Sequence, residues 1–447
     1  MPTPPSLLAD LAASVGASHA DRAVDAAMRA LQLGVSSSEI LRAAAHGAAT
    51  HYEPAFGRPP WGLVALASAA NLSAILPRHA QPLPVLQAVV LAASEKKADA
   101  PARSPSVVRG EITHLGRSFL LASRDGNLPE AEAIFLGIVD ERSERRMAGD
   151  MLFRAAAEDM GHGGLKLVAA VKLWQLARAF RFRDARTILR PAVQFLVASE
   201  RDASAFREAT AVLGREWVDL EGLATGGNPL DEAGRDRLPS VLHAADAPSC
   251  VAATLSLLTE GYSATGVAEA FSREASRRLL GARGFDRGSI GGLLFAHAAR
   301  FVLTFTRSAE RLHALFQAAM RLRSPSPRLD LPPAADMPSE DEELRCLAGD
   351  LEARRPEAAA SRAASYLRRG ASSSRLLGLL ADHASRDSAI PSDGLNLALA
   401  DACTAEFLAT KAPEPAMALA KAVASAPADW TAYRAWEPLL RGDVTSS

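Results

Sequence analysis

The chain reads as an all-α protein built from repeated helical units, and three observations point there. Alanine dominates a composition that is 48% hydrophobic but only 5% aromatic, and alanine loses no side-chain entropy in a helix, so it favours close-packed helices. No segment shows the alternation of apolar and polar residues that marks a half-buried strand. Finally, "LQLGVSSSEIL" (31–41), "LTEGYSATGVA" (258–268) and "LRRGASSSRLL" (367–377) share Leu-x-x-Gly-x-Ser.

Each part of that signature has a local cause. Gly34, Gly261 and Gly370 suit the left-handed residue that ends a helix. Ser36, Ser263 and Ser372 suit the N-cap of the helix that follows, and Glu39 completes a capping box with Ser36. A second anchor lies downstream: "GLVALASAANL" (62–72), "GLKLVAAVKLW" (164–174), "GLLFAHAARFV" (292–302) and "GLNLALADACT" (394–404). Each is small and apolar on almost every side, as a helix buried all round must be.

Longer similarities, between 85–101 and 311–327 and between 129–142 and 356–369, recur at an offset of about 226 residues. Such a constant offset predicts duplicated halves. The expected layout is an N-terminal half at 1–220, with units at about 21–98 and 127–202, then a linker at 221–240. A C-terminal half at 241–447 carries units at about 241–323 and 341–427, so there are four units of roughly 80–100 residues. Proline, glycine and serine in "DAPARSPSVVRG" (99–110), "GLATGGNPLDEAGRDRLP" (222–239) and "RSPSPRLDLPPAADMPSE" (323–340) mark breaks between helices.

The compartment expected is the cytoplasm. The first residues lack a basic segment followed by a long apolar core, so no signal peptide is read. The longest uncharged run, 61–77, contains Asn71, ends at Pro77 and is short for a membrane span. Cys250, Cys346 and Cys403 are odd in number and far apart, which suggests neither a disulfide framework nor a CxxC metal site. A net charge of −1 provides no general attraction to nucleic acid or to an anionic membrane.

No residue pattern specifies a reaction. There is no P-loop, no GxGxxG after a strand, no GxSxG elbow and no HExxH. Glu111–His114 and Glu310–His313 have the Glu-x-x-His spacing of di-iron helices, but the two pairs are not repeat-related. The basic run "RAFRFRDARTILR" (178–190) carries interleaved aromatics and reads as a solvated helix face. Three histidines remain as candidates. His162 sits in the glycine-rich turn "GHGGL" beside Glu158 and Asp159, either as a turn residue or as part of a site. His297 and His313 fall in expected buried helices, where unit one has Asn71 and Gln87.

The segment "AMRALQLGVSSSEILRAAAHGAATHYEPAFGRPP" (27–60) resembles the front of questin-oxidase-like proteins, helical proteins linked to Baeyer–Villiger-type oxidation of polyketide rings. "GHGGLKLVAAVKLWQLA" and "HAARFVLTFT" are similar to later helices of that family, and to helical regions that accompany Rieske-type domains in some bacterial proteins. The family's histidines ahead of the Leu-Gly turn are absent from "DRAVDAAMRALQLG". The resemblance implies an oxidoreductase that uses NADPH, takes a small hydrophobic ligand, and employs His162, His297 and His313 as catalytic residues with no metal. The alternative expectation is a helical-repeat scaffold for a protein partner, without catalysis. Neither reading involves nucleic acid or a membrane.

Overall fold

The computed structural model describes residues 3–101, 106–324, 329, 331–333 and 338–440, except the side chains of 432, 435, 439 and 440. The fold is all-α. Apart from one isolated bridge between Asn228 and Tyr262, no β structure occurs among the described residues.

Five helices in a fixed order recur four times. The first set is α1 (Pro4–Gly16), α2 (Ala20–Gln32), α3 (Ser37–Thr50), α4 (Trp61–Ser73) and α5 (Pro82–Ser94). The second is α6 (Ile112–Arg124), α7 (Leu128–Asp140), α8 (Arg145–Ala157), α9 (Leu165–Ala179) and α10 (Ala185–Ala198). After α11 (Ser204–Arg215), α12 (Leu220–Ala224) and α13 (Glu232–Asp236), the third set begins with the short α14 (Leu238–Leu242). It continues through α15 (Ala247–Thr259), α16 (Ala264–Gly281), α17 (Arg287–Phe305) and α18 (Leu312–Arg321). The fourth set is α19 (Glu340–Glu352), α20 (Pro356–Arg368), α21 (Ser373–Ala384), α22 (Leu395–Thr410) and α23 (Glu414–Ser425), and α24 (Thr431–Leu440) follows it. In every set the second helix packs on the fifth, the third on the fourth, and the fourth on the fifth.

The sequence boundaries differ from this arrangement in three places. The Gly-Leu signature in each set, and the Gly-x-Ser signature in three of them, lie downstream of the first helix, so α1 and α6 fall outside the expected units. Helix α11, placed by sequence in the N-terminal half, packs against α15 and α18 of the third set. The stretch expected as a linker at 221–240 carries the short helices α12, α13 and the start of α14. Much of the breaks expected at 99–110 and 323–340 lies outside the described residues.

The capping chemistry agrees with the local reading. Gly34, Gly261 and Gly370 have φ of +78°, +94° and +70°. The Gly34 N–H donates to the Leu31 carbonyl and the Val35 N–H to that of Ala30, which closes the C-terminus of α2. Ser36 and Ser263 accept backbone N–H bonds at the starts of α3 and α16, with the Ser36–Glu39 capping box in place. Ser372 occupies the N-cap of α21 but makes no side-chain cap bond. The second set lacks the motif: residues 141–144, Glu-Arg-Ser-Glu, join α7 to α8.

The fourth helices make the centre. α4 packs on α9, α9 on α17, α17 on α22, and α22 back on α4, so four units close into a ring. Their small residues permit the close approach: α4 and α9 are buried along nearly their whole circumference. Gly164 and Gly394, both with left-handed backbone, cap the starts of α9 and α22. A Cβ on Gly394 would come within 2.7 Å of Leu91 and 3.2 Å of Ala65, and one on Gly164 within 2.4 Å of Phe295. These glycines are required by interlocking between units as well as by φ. Among the described residues, one helix, α17, is long and apolar enough to cross a membrane, and 61% of that stretch is buried inside the protein.

Candidate functional site

The ring has polar chemistry at its centre and a cavity at each end. Lys172 of α9 reaches across to Asp401 of α22 with Nζ 2.5 Å from Oδ2, and both side chains are buried. Asn71 of α4 donates to the same Asp401 oxygen at 2.8 Å and to Gln175 at 3.1 Å. A cavity of about 430 Å³ opens beside this network, lined by C-terminal portions of all four helices, including Gln175, Phe301 and Thr404. The four helices therefore run in the same direction.

At the other end lies a cavity of about 300 Å³ between the first and fourth units. Its wall is built from the segment after α3. Glu53 caps the short 3-10 turn Pro54–Phe56, which ends at Gly57 with φ of +58°, and Pro59 and Pro60 lead into Trp61 at the start of α4. The Tyr52 hydroxyl donates to the Arg58 carbonyl at 2.6 Å and holds this segment closed. Opposite it, α5 ends and presents Glu95 and Lys97.

Glu95 accepts the Gly62 N–H at 2.7 Å, which satisfies a free donor in the first turn of α4. Gly62 has to be glycine for this, because a Cβ there would lie 2.6 Å from Oε2 of Glu95 and 2.7 Å from the Ala92 Cα. Lys97 donates to the carbonyls of Ala92 and Glu95 at the end of α5. Burial pushes the Glu95 carboxyl up to about 7 despite the opposing effect of Lys97 and the backbone donors. Burial also pulls Lys97 down to about 8, against the pull of Glu95. Burial and the adjacent Glu95 raise the Tyr52 phenol. A carboxyl raised and an amine lowered by burial thus share one aromatic-walled cavity with Tyr52, Phe56 and Trp61.

The three histidines have separate surroundings. His162 is exposed, has φ of +54°, and lays its ring 5.3 Å from that of Phe195. Its acidic neighbours are engaged elsewhere: Glu158 holds Arg124, and Asp159 holds Lys166 and the backbone of Gly161 and Asp202. His297 is buried on α17, with Nδ1 2.6 Å from Oε1 of Glu406 on α22. Burial would raise the Glu406 carboxyl, but the His297 hydrogen bond and the Arg300 guanidinium outweigh it and hold it below the usual range. His313 is buried on α18 with its ring 4.7 Å from Phe206, and burial lowers its pKa. None of the three lines either cavity at the ends of the ring.

His297 and His313 occupy the same helices of the third unit as Asn71 and Gln87 do in the first. All four are tied into the helix packing; Gln87, for example, accepts the Ala389 N–H at 3.2 Å. Glu111 is the N-cap of α6, and Glu310 pairs with Arg154 at 3.0 Å. Among the described residues, no group of three His, Cys, Asp or Glu side chains could hold a metal ion, and Cys250, Cys346 and Cys403 form no disulfide.

Sequence reasoning missed Glu95, Lys97 and Tyr52. The only local signal was a Glu-Lys-Lys run directly after an apolar helix, and such a run ordinarily forms a solvated end. Compared with known proteins, the chain matches no family model, no curated protein and no solved structure.

Proposed function

We propose that the protein binds a small, partly aromatic molecule in the cavity between Tyr52, Trp61 and Ile390, and that Glu95 and Lys97 exchange a proton with it. The observation that carries this reading is the placement of a carboxyl and an amine, Glu95 and Lys97, in one concave, aromatic-walled site, the usual character of small-molecule sites. The resemblance to questin-oxidase-like proteins adds that the ligand is a ring compound. Oxidation with NADPH through His162, His297 and His313 draws no support from the geometry, since their partners are separate. A scaffold role is less well supported too. Scaffolds present a long concave face because their units stack in an open series, whereas here the fourth unit returns to the first. Three cysteines without a disulfide are in keeping with a reducing cytoplasm.

Phenols suit both the aromatic walls and the carboxylate. In ligand-observed NMR at millimolar p-cresol, binding is expected to strengthen as pH rises through about 7, because Glu95 then ionises and its carboxylate accepts a charge-assisted hydrogen bond from the phenol O–H. Glu95→Gln should remove that pH dependence, and Lys97→Met should weaken binding. No binding, or the same pH dependence in Glu95→Gln, would overturn the reading.

A further inference from the structure

We infer a second binding site, for a planar aromatic anion, in the arginine-rimmed cavity between α8, the end of α9 and the end of α17. The cavity has a volume of about 960 Å³ and is lined by Arg142, Arg145, Arg146, Arg178 and Arg181, with Trp174, Phe182 and Phe305 among its walls. It is distinct from the Glu95–Lys97 cavity and does not depend on it.

Charge is the first argument. None of these five arginines lies within ion-pair distance of a carboxylate among the described residues, although the chain as a whole is nearly neutral and carries many arginine–carboxylate pairs. The acidic groups nearest in sequence do not neutralise them. Asp140 pairs with Arg186, and Glu141 and Glu144 do not line the cavity. Asp150, one turn into α8, is not within ion-pair distance of any of the five, although the Arg146 charge acts on it. Arg145 and Arg146 occupy the first turn of α8, where the helix dipole is already positive and cations are disfavoured. Arg178 near the end of α9 is explained by the dipole, and Arg145 and Arg146 donate to the helix-end carbonyls of Val139 and Phe305, but these neutral partners leave the positive charge of the cluster uncompensated.

Construction is the second argument. Arg181 and Phe182 both hold left-handed backbone, with φ of +55° and +59°, a costly conformation for side chains of this size. The result sets the Phe182 ring edge-on to Trp174 with centroids 5.3 Å apart. Phe305 stands 5.5 Å from Trp174, and Gly149 makes room for both rings, since a Cβ there would fall within 3.0 Å of each. Arg145 lies over Phe182 and Arg146 over Phe305. Guanidinium groups are thus ordered around aromatic faces, as recognition of a phosphate or sulfonate on a ring requires. Moreover, the second unit alone lacks the Gly-x-Ser turn before its third helix, and Arg142 stands in the replacement.

The probe is 1-naphthyl phosphate, titrated calorimetrically at low salt into the whole protein. We expect saturable binding, at least ten-fold weaker for inorganic phosphate and weakened by added salt. Arg142→Gln combined with Arg146→Gln, both exposed, should reduce affinity ten-fold or more with unchanged thermal melting. Phe182→Asn, which tolerates the left-handed backbone, should also reduce affinity ten-fold or more, with some loss of stability from the Trp174 contact. Should the double variant fail to fold, Arg178→Gln serves as the charge test and is expected to weaken binding at least three-fold. Lys97→Met should leave this binding intact, which separates the result from the fate of the phenol site. Unchanged affinity in the arginine variants, equal affinity for inorganic phosphate, or binding of a single-stranded oligonucleotide but not of naphthyl phosphate would each overturn the inference.

Discussion

At His162 the backbone conformation explains the residue better than the imidazole does. A φ of +54° costs a residue with a Cβ on the order of 1–2 kcal/mol relative to glycine, and among non-glycine residues histidine is enriched there. Next to it, Gly163 and Gly164 continue the left-handed turn that starts α9, just as Asp393 and Gly394 start α22. His162→Gly relieves the strain but loosens the unfolded chain and loses the Phe195 contact. Stability by urea unfolding should therefore stay within about 1 kcal/mol of the parent, and phenol binding should not change. A larger loss, or lost binding, would restore His162 as a functional residue.

For the helices, the turn glycines divide into two kinds. Gly34, Gly261 and Gly370 have nothing within 4 Å of the position a methyl group would take, so alanine there meets only backbone strain. Each substitution should cost about 1 kcal/mol. Gly164 also caps a helix, but its methyl would collide with Phe295 at 2.4 Å, and overpacking adds about 1–3 kcal/mol to the strain. Chemical denaturation of the four alanine variants should rank Gly164→Ala as clearly the most damaging. Equal losses at all four would mean that the α9–α17 contact yields easily.

Across the whole molecule, the Lys172–Asp401 pair links two helices that face each other over the centre of the ring. Removing one partner of a buried pair leaves an uncompensated charge and costs about 3–5 kcal/mol. Lys172→Met and Asp401→Leu should each destabilise to that extent, while the double variant should recover most of the loss. A double-mutant cycle in denaturant checks this; additive losses would show that the pair does not act as a unit. In helix order, Gly34 and Gly261 both stand between the second and third helices of their sets, and Gly62 and Gly288 both stand second in the fourth helices.

Local sequence is enough to specify the all-α class, the glycine-terminated helices at Gly34, Gly261 and Gly370, the Ser36–Glu39 cap, and the buried character of the four Gly-Leu helices. These depend on hydrogen bonds and side-chain periodicities spanning a few residues, so they are legible without knowing what lies opposite. The candidate sites were not legible. Glu95 meets Gly62 over 33 residues and Lys172 meets Asp401 over 229. The run at 178–190, read as a solvated face, splits in space: Arg178 and Arg181 join Arg142, Arg145 and Arg146 around the aromatic cavity, while Arg186 and Arg190 pair with Asp140 and Glu132. Only closure of the ring decides which charged groups meet a partner and which are left facing a cavity, because that depends on packing between helices far apart in the chain.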